Sequence, residues 1–202
     1  MTFMPSSPVR TPQTHADSTG LRVLPEVLAA LDAIEEATGA RDVTAIGYCV
    51  GGTMLSMTLA WMAAKGDTRI SSATLFAAQT DFTDPGELAV FADEATIASI
   101  ERHTAEVGYL DGAMMANAFN MLRPNDLIWS YVVNNYVKGK APSAFDLLYW
   151  NGDGTNLPGK MVTQYLRNLC QKNALAGEGF EILGHTLHLR DVKVPICAVA
   201  CE

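Results

Sequence analysis

The stretch Val43-Thr-Ala-Ile-Gly-Tyr-Cys-Val-Gly-Gly-Thr53 constrains this chain more than any other. The apolar, β-branched run from Val43 to Tyr48 reads as a short buried strand, and Thr53–Ala64 has the composition of a buried helix. Gly47-Tyr-Cys-Val-Gly-Gly52 therefore turns the chain sharply between them. A cysteine at the tip of such a turn is held in a strained backbone conformation, and glycines two residues to either side, Gly47 and Gly51, prevent strand and helix from clashing. The turn sets the Cys49 sulfur at a helix N-terminus, where partial positive charge favours thiolate. It also aims the backbone N–H of Val50 at a developing oxyanion. The bland alternative is a structural cysteine in a Gly-rich turn; the strand before and the helix after weigh against it. No Gly-Lys-Ser/Thr follows the glycines, so a phosphate-cradling loop does not compete.

Composition narrows the classes that remain. A formal charge of −8 argues against a general nucleic-acid or membrane-surface role. Cys49, Cys170, Cys197 and Cys201 lack paired or metal-type spacing and read as reduced thiols. The histidines (His15, His103, His185, His188) include no His-Glu-x-x-His pattern, so no metal site is expected. No apolar run reaches the length of a membrane span, and the N-terminus has no signal-like apolar core, which makes cytoplasmic the expectation.

Read in order, residues 1–22 are a Pro/Ser/Thr-rich arm expected to lack regular structure. Residues 23–82 form an α/β core: a helix from about Pro25 to Thr38, the Val43–Tyr48 strand, the helix after the elbow, and a parallel strand from Ile70 to Ala78. Residues 83–180 read as a helical cap without clear strands. Within it Glu87–Val107, Ala113–Leu122, Asn125–Val137 and Met161–Gln171 are helix-like, Tyr109–Gly112 is a turn and cap, and Phe145–Asn151 is aromatic. Residues 181–202 return to the core. Phe180–Leu189 predicts a hairpin turning at Gly184-His185, and Val192–Ala200 a third core strand with Pro195 near its start.

A cysteine nucleophile needs a histidine base and an orienting carboxylate. Asp81, with His185 or His188, is the in-chain candidate set; capping a turn is the commoner use of such an aspartate. The elbow strand would also present an unpaired edge.

Strand, Gly-x-Cys-x-Gly and helix together resemble the nucleophile elbow of α/β hydrolases, with cysteine where serine is usual. The fold class expected is α/β, a partial α/β-hydrolase fold with parallel core strands around the elbow and a mainly helical cap. Four stretches sharpen the likeness: Gly47–Thr53, Phe119-Asn-Met-Leu-Arg-Pro-Asn-Asp-Leu-Ile-Trp129 through Tyr136, Phe145–Asn151 and Tyr165-Leu-Arg-Asn168. They resemble polyhydroxyalkanoate (poly-3-hydroxybutyrate) synthases of the class I type. The resemblance implies an acyltransferase that polymerises (R)-3-hydroxyacyl-CoA to polyester, releasing CoA through a covalent acyl-Cys49 intermediate. It gives Cys49 the nucleophile role, Val50 the oxyanion N–H, and Tyr48 and Trp129 substrate-binding roles. No cofactor is implied, since the substrate is itself a CoA thioester. The implied partners are the acyl-CoA and the growing polyester, with a homodimer or partner synthase left open. The implied location is the cytoplasm, at polymer granules.

In that family the catalytic aspartate and histidine lie beyond the counterpart of Glu202. The resemblance therefore reads the chain as truncated at both ends and inactive alone. Two other functions stay open at this point: a non-catalytic fragment binding granules or a partner synthase, and a cysteine-nucleophile esterase. Trp129, Tyr131, Tyr136, Phe145 and Trp150 are candidates to line an apolar cap. Arg123, Lys138, Lys140 and Arg167 are equal candidates for CoA phosphates.

Overall fold

The computed structural model describes residues 23–142 and 154–200, which fall into two compact units. One consists of 23–97 with 163–200, the other of Ala98–Val162.

The first unit is built on a parallel three-stranded sheet. Strand β1 (Val43–Tyr48) lies at one edge, β2 (Ile70–Phe76) in the centre, and a strand at Ile196–Val199 on the far side. Helix α1 (Val23–Thr38) and helix α2 (Val50–Lys65) complete the α-β-α-β order. On one face Ala73, Leu75 and Ile70 meet Leu55, Leu59 and Met62 of α2 and Leu31 of α1, with Val43 and Ala45 packed against them. Because side chains alternate along a strand, Thr44, Ile46 and Tyr48 fall on the opposite face. There they stand beside Ser72, Thr74 and Phe76 in register. Ile46 is 69% and Tyr48 73% exposed, so this face carries apolar surface. The edge position expected for the elbow strand is thus found among the described residues.

Helix α2 is buried on nearly all sides, as its composition predicts, and carries its own polar groups inward. Ser56 Oγ donates to the Gly52 carbonyl at 2.8 Å and Thr58 Oγ1 to that of Met54 at 2.9 Å, so neither hydroxyl is left unpaired. Gly66, at φ 70, closes the helix with bonds back to its last turn. Arg69 then joins Asp67 at 2.7 Å and reaches Asp32 of α1, pinning the start of β2.

Several boundaries differ from the sequence reading, each for a local reason. Helix α2 starts at Val50 rather than Thr53, because Gly51 and Gly52 form its first turn. β2 stops at Phe76, not Ala78, because Ala77 takes φ 46. The third core strand begins at Ile196 rather than Val192. Leu189–Asp191 forms a 3₁₀ turn, and Pro195 has no N–H to donate, although its carbonyl accepts from Ala73 at 3.0 Å. A hairpin is found where expected, its strands at Phe180–Ile182 and His185–Leu187. Leu183 and Gly184, with φ 50 and 76, supply the turn.

In the second unit, Tyr109–Leu110 pairs antiparallel with Leu157–Pro158, a short ladder in a region expected to be strand-free. Asp111 caps the following helix (Gly112–Leu122) by accepting from the Ala113 N–H. Asn125–Trp129 and Val132–Val137 are helical but wound wider than α, with i→i+5 bonds such as Lys138 N–H to the Val133 carbonyl. The helix expected at Met161 starts at Gly159; in the first unit it continues, widened, as Tyr165–Gln171. The Phe145–Asn151 stretch, with Phe145 and Trp150, lies outside the described residues, as does the arm at 1–22.

Candidate active site

The elbow is built from the strand outward. The Cys49 N–H still bonds across the sheet, to the Phe76 carbonyl at 2.9 Å. The chain then turns at φ 52, ψ −126, and the Cys49 carbonyl accepts from Gly52 and Thr53 to open α2. This left-handed cysteine is the strained tip that the spacing predicts, and its side chain is exposed. Val50 occupies the first position of α2, where a helix has no internal acceptor for its N–H.

The glycine that makes the turn possible is not the one expected. A Cβ on Gly51 would meet nothing within 4 Å. One on Gly52 would lie 2.3 Å from the Ala78 Cβ, and one on Gly47 would lie 2.5 Å from the Gly52 Cα. The crossing of strand and helix therefore rests on Gly47 and Gly52, spaced five rather than four apart, and Gly51 is sterically free.

The loop that follows β2 runs beside the elbow. Thr53, almost fully buried, donates its hydroxyl to the Gln79 carbonyl at 2.6 Å. Further along, Phe82 is buried and its ring meets that of Tyr165 edge-on, centroids 6.0 Å apart. Tyr165 is itself half-buried. Burial first, then the charges that Cys170 and Cys49 would carry as thiolates, push its phenol above the ordinary range. Tyr165 thus keeps its proton at neutral pH. Burial likewise raises the Cys170 thiol, which is a poor thiolate in consequence.

Nothing in the sequence reading singled out Tyr165, Cys170 or Phe82 for this neighbourhood. Residues 82 and 165 are too far apart in sequence for a local signal, although Tyr165 heads the Tyr-Leu-Arg-Asn motif.

Asp81 is engaged elsewhere than at a histidine. Its Oδ1 accepts from the Thr83 N–H at 2.9 Å, the Thr83 hydroxyl at 2.7 Å and Asn173 Nδ2 at 2.7 Å. These bonds, those of Thr83 first, hold its carboxyl below the usual range. Among the described residues neither His185 nor His188 hydrogen-bonds Asp81. His188 instead lies with its ring against Gly179.

Tyr48 ends β1 on the exposed sheet face, next to Cys49 in sequence. Trp129 lies in the second unit, on the wide-turned helix, 56% exposed. Of the residues considered for phosphate binding, Arg123 pairs with Asp126, and Arg167 with both oxygens of Glu94 at 3.0 Å. Lys138 and Lys140 are exposed. Among the described residues no group of three His, Cys, Asp or Glu side chains could hold a metal ion, and no helix is long and apolar enough to cross a membrane.

Comparison with known proteins agrees with this geometry. A family model for the alpha/beta hydrolase fold matches residues 7–193. A poly(3-hydroxyalkanoate) polymerase of Methylorubrum extorquens is 60% identical over 172 residues, covering 85% of this chain and 28% of that protein. The poly(3-hydroxyalkanoate) polymerase subunit PhaC of Rhizobium meliloti (strain 1021) is 53% identical over 173 residues, 86% of this chain and 28% of that one. The corresponding subunit of Cupriavidus necator is 43% identical over 176 residues, 83% of this chain and 30% of that one. The chain thus spans less than a third of the length of these curated relatives.

Proposed function

The chain belongs to the α/β hydrolase fold family, and from that premise we propose that it is a polyhydroxyalkanoate synthase-like acyltransferase with Cys49 as its acyl-accepting nucleophile. The observation that carries the reading is a cysteine at φ 52 on the strand-to-helix turn, in a chain 60% identical over 172 residues to a poly(3-hydroxyalkanoate) polymerase.

The chemistry suits sulfur. Cys49 attacks the thioester carbonyl of an (R)-3-hydroxyacyl-CoA; the new C–S bond forms as the bond to CoA breaks, and CoA leaves as its thiol with the proton that Cys49 gave up. One thioester replaces another, so the acyl group stays activated. The hydroxyl of a second hydroxyacyl unit then takes the acyl group as an ester, and the Cys49 thiol is regenerated. The Val50 N–H stabilises the oxyanion in both steps. With Asp81 committed to Thr83 and Asn173, we expect these residues to perform the first transfer without rapid turnover.

The test is intact mass after incubating the chain with (R)-3-hydroxybutyryl-CoA, with Cys49→Ala as control. A Cys49-dependent gain of one or more hydroxybutyryl units supports the reading. A folded chain that gains no mass overturns it.

A further inference from the structure

We infer that Asn173 is a positioning residue for Cys49, acting through the loop after β2, which packs on the elbow. The inference rests on the reading of Cys49 as nucleophile.

Asn173 follows the widened helix Tyr165–Gln171 and takes φ 49, a left-handed conformation that asparagine tolerates better than most side chains. Its amide faces the loop after β2 with three bonds. Oδ1 accepts from the Phe82 N–H at 2.8 Å, while Nδ2 donates to Asp81 Oδ1 at 2.7 Å and to Thr83 Oγ1 at 3.0 Å. A carboxamide can accept and donate together in this way; a carboxylate would turn a second set of lone pairs on Asp81.

The loop is therefore held at two points. Thr53 of the elbow helix holds Gln79, and Asn173 holds residues 81–83. Just before them, Ala78 fills the space over Gly52. Phe82, fixed by its N–H, sets the edge-on contact that orients the Tyr165 ring. One amide thus links the end of a distant helix to the loop packed on the elbow.

The experiment exploits the pairing itself. Asn173→Asp keeps tolerance for the left-handed backbone but sets a carboxylate against Asp81, and Asn173→Gly keeps that backbone while removing all three bonds. Tyrosines are labelled as 3-fluorotyrosine, and Tyr165 is assigned by Tyr165→Phe in ¹⁹F NMR. Cys49 acylation by (R)-3-hydroxybutyryl-CoA and alkylation by iodoacetamide are timed in parallel.

The expected result is a shifted Tyr165 resonance in Asn173→Asp and a roughly tenfold slower acylation, with iodoacetamide alkylation changed less than twofold. Asn173→Gly should shift the same resonance and slow acylation in the same way. Should Asn173→Asp not fold, Thr83→Val removes one of the three contacts and should shift the same resonance by less. An unmoved Tyr165 resonance, or an unchanged acylation rate, in either folded variant overturns the inference. A wild-type chain that is never acylated overturns the proposed function instead, and the resonance with the iodoacetamide rate still decides the positioning.

Discussion

Exchanging the glycines of the elbow separates steric need from motif membership. In Gly52→Ala the new Cβ would stand 2.3 Å from the Ala78 Cβ and 3.2 Å from the Gly47 carbonyl oxygen. Carbon atoms prefer about 3.5–4.0 Å, so the shortfall exceeds an ångström. Ala78 has no rotamer to give way, which makes the backbone move. That places the cost at the upper end of overpacking, about 3 kcal/mol. Gly47→Ala meets backbone atoms alone, 2.5 Å from the Gly52 Cα, and should cost as much. Gly51→Ala meets nothing within 4 Å and gains helix propensity in the first turn of α2, worth roughly 0.5 kcal/mol. Thermal unfolding followed by circular dichroism should therefore show Gly52→Ala and Gly47→Ala lowered by about 6–10 °C and Gly51→Ala level or slightly raised. Adding Ala78→Gly to Gly52→Ala removes the opposing carbon and should recover most of the loss. If Gly51→Ala falls as far as Gly52→Ala, or Ala78→Gly rescues nothing, the packing argument is wrong.

Strain at the nucleophile gives a second expectation. Cys49→Gly relieves a backbone at φ 52, ψ −126; after the entropy that glycine adds to the unfolded chain, stability should rise by about 1 kcal/mol while acylation is lost. A lower urea midpoint would contradict it. The third concerns acid. The hydrogen bonds of Arg69 hold Asp67 below its ordinary 3.8, so the stability it contributes is full above about pH 4 and disappears as pH falls through the lowered folded value. Asp67→Asn should then lower the urea midpoint at pH 7 and narrow its gap to wild type as pH approaches 2.5; a constant gap counts against the linkage.

What the sequence discloses is set by how local each interaction is. β1 runs from Val43 to Tyr48 as expected, because an apolar β-branched run followed by a glycine-rich turn admits few alternatives. The start of α2 was displaced by three residues, since glycine lowers helix propensity on average and a first turn forgives it. The wide turns at Asn125–Trp129, Val132–Val137 and Tyr165–Gln171 carry ordinary helical composition, and nothing local distinguishes i→i+5 from i→i+4 bonding. The Tyr109–Leu110 ladder is too short for alternation to register, and its partner strand contains Pro158.

The candidate site divides along the same line. Cys49 and Val50 were legible because turn, strand and helix are adjacent in sequence. The choice between Gly51 and Gly52 was not, for it depends on Ala78, which belongs to another element. Asn173 gave half a signal: an asparagine just past a helix end suits a left-handed residue, but its partners lie 90 or more positions away. Among the described residues four non-glycine positions adopt positive φ. Cys49 is the proposed nucleophile, Ala77 ends the neighbouring strand, and Asn173 grips the loop that follows it, leaving Leu183 as an ordinary hairpin turn. Positive φ at Cys49 and Ala77 is costly unless the surrounding contacts over-determine it. Thr53, Gly52 and Asn173 supply those contacts, so the same bonds that stabilise this corner also fix where Cys49 can point.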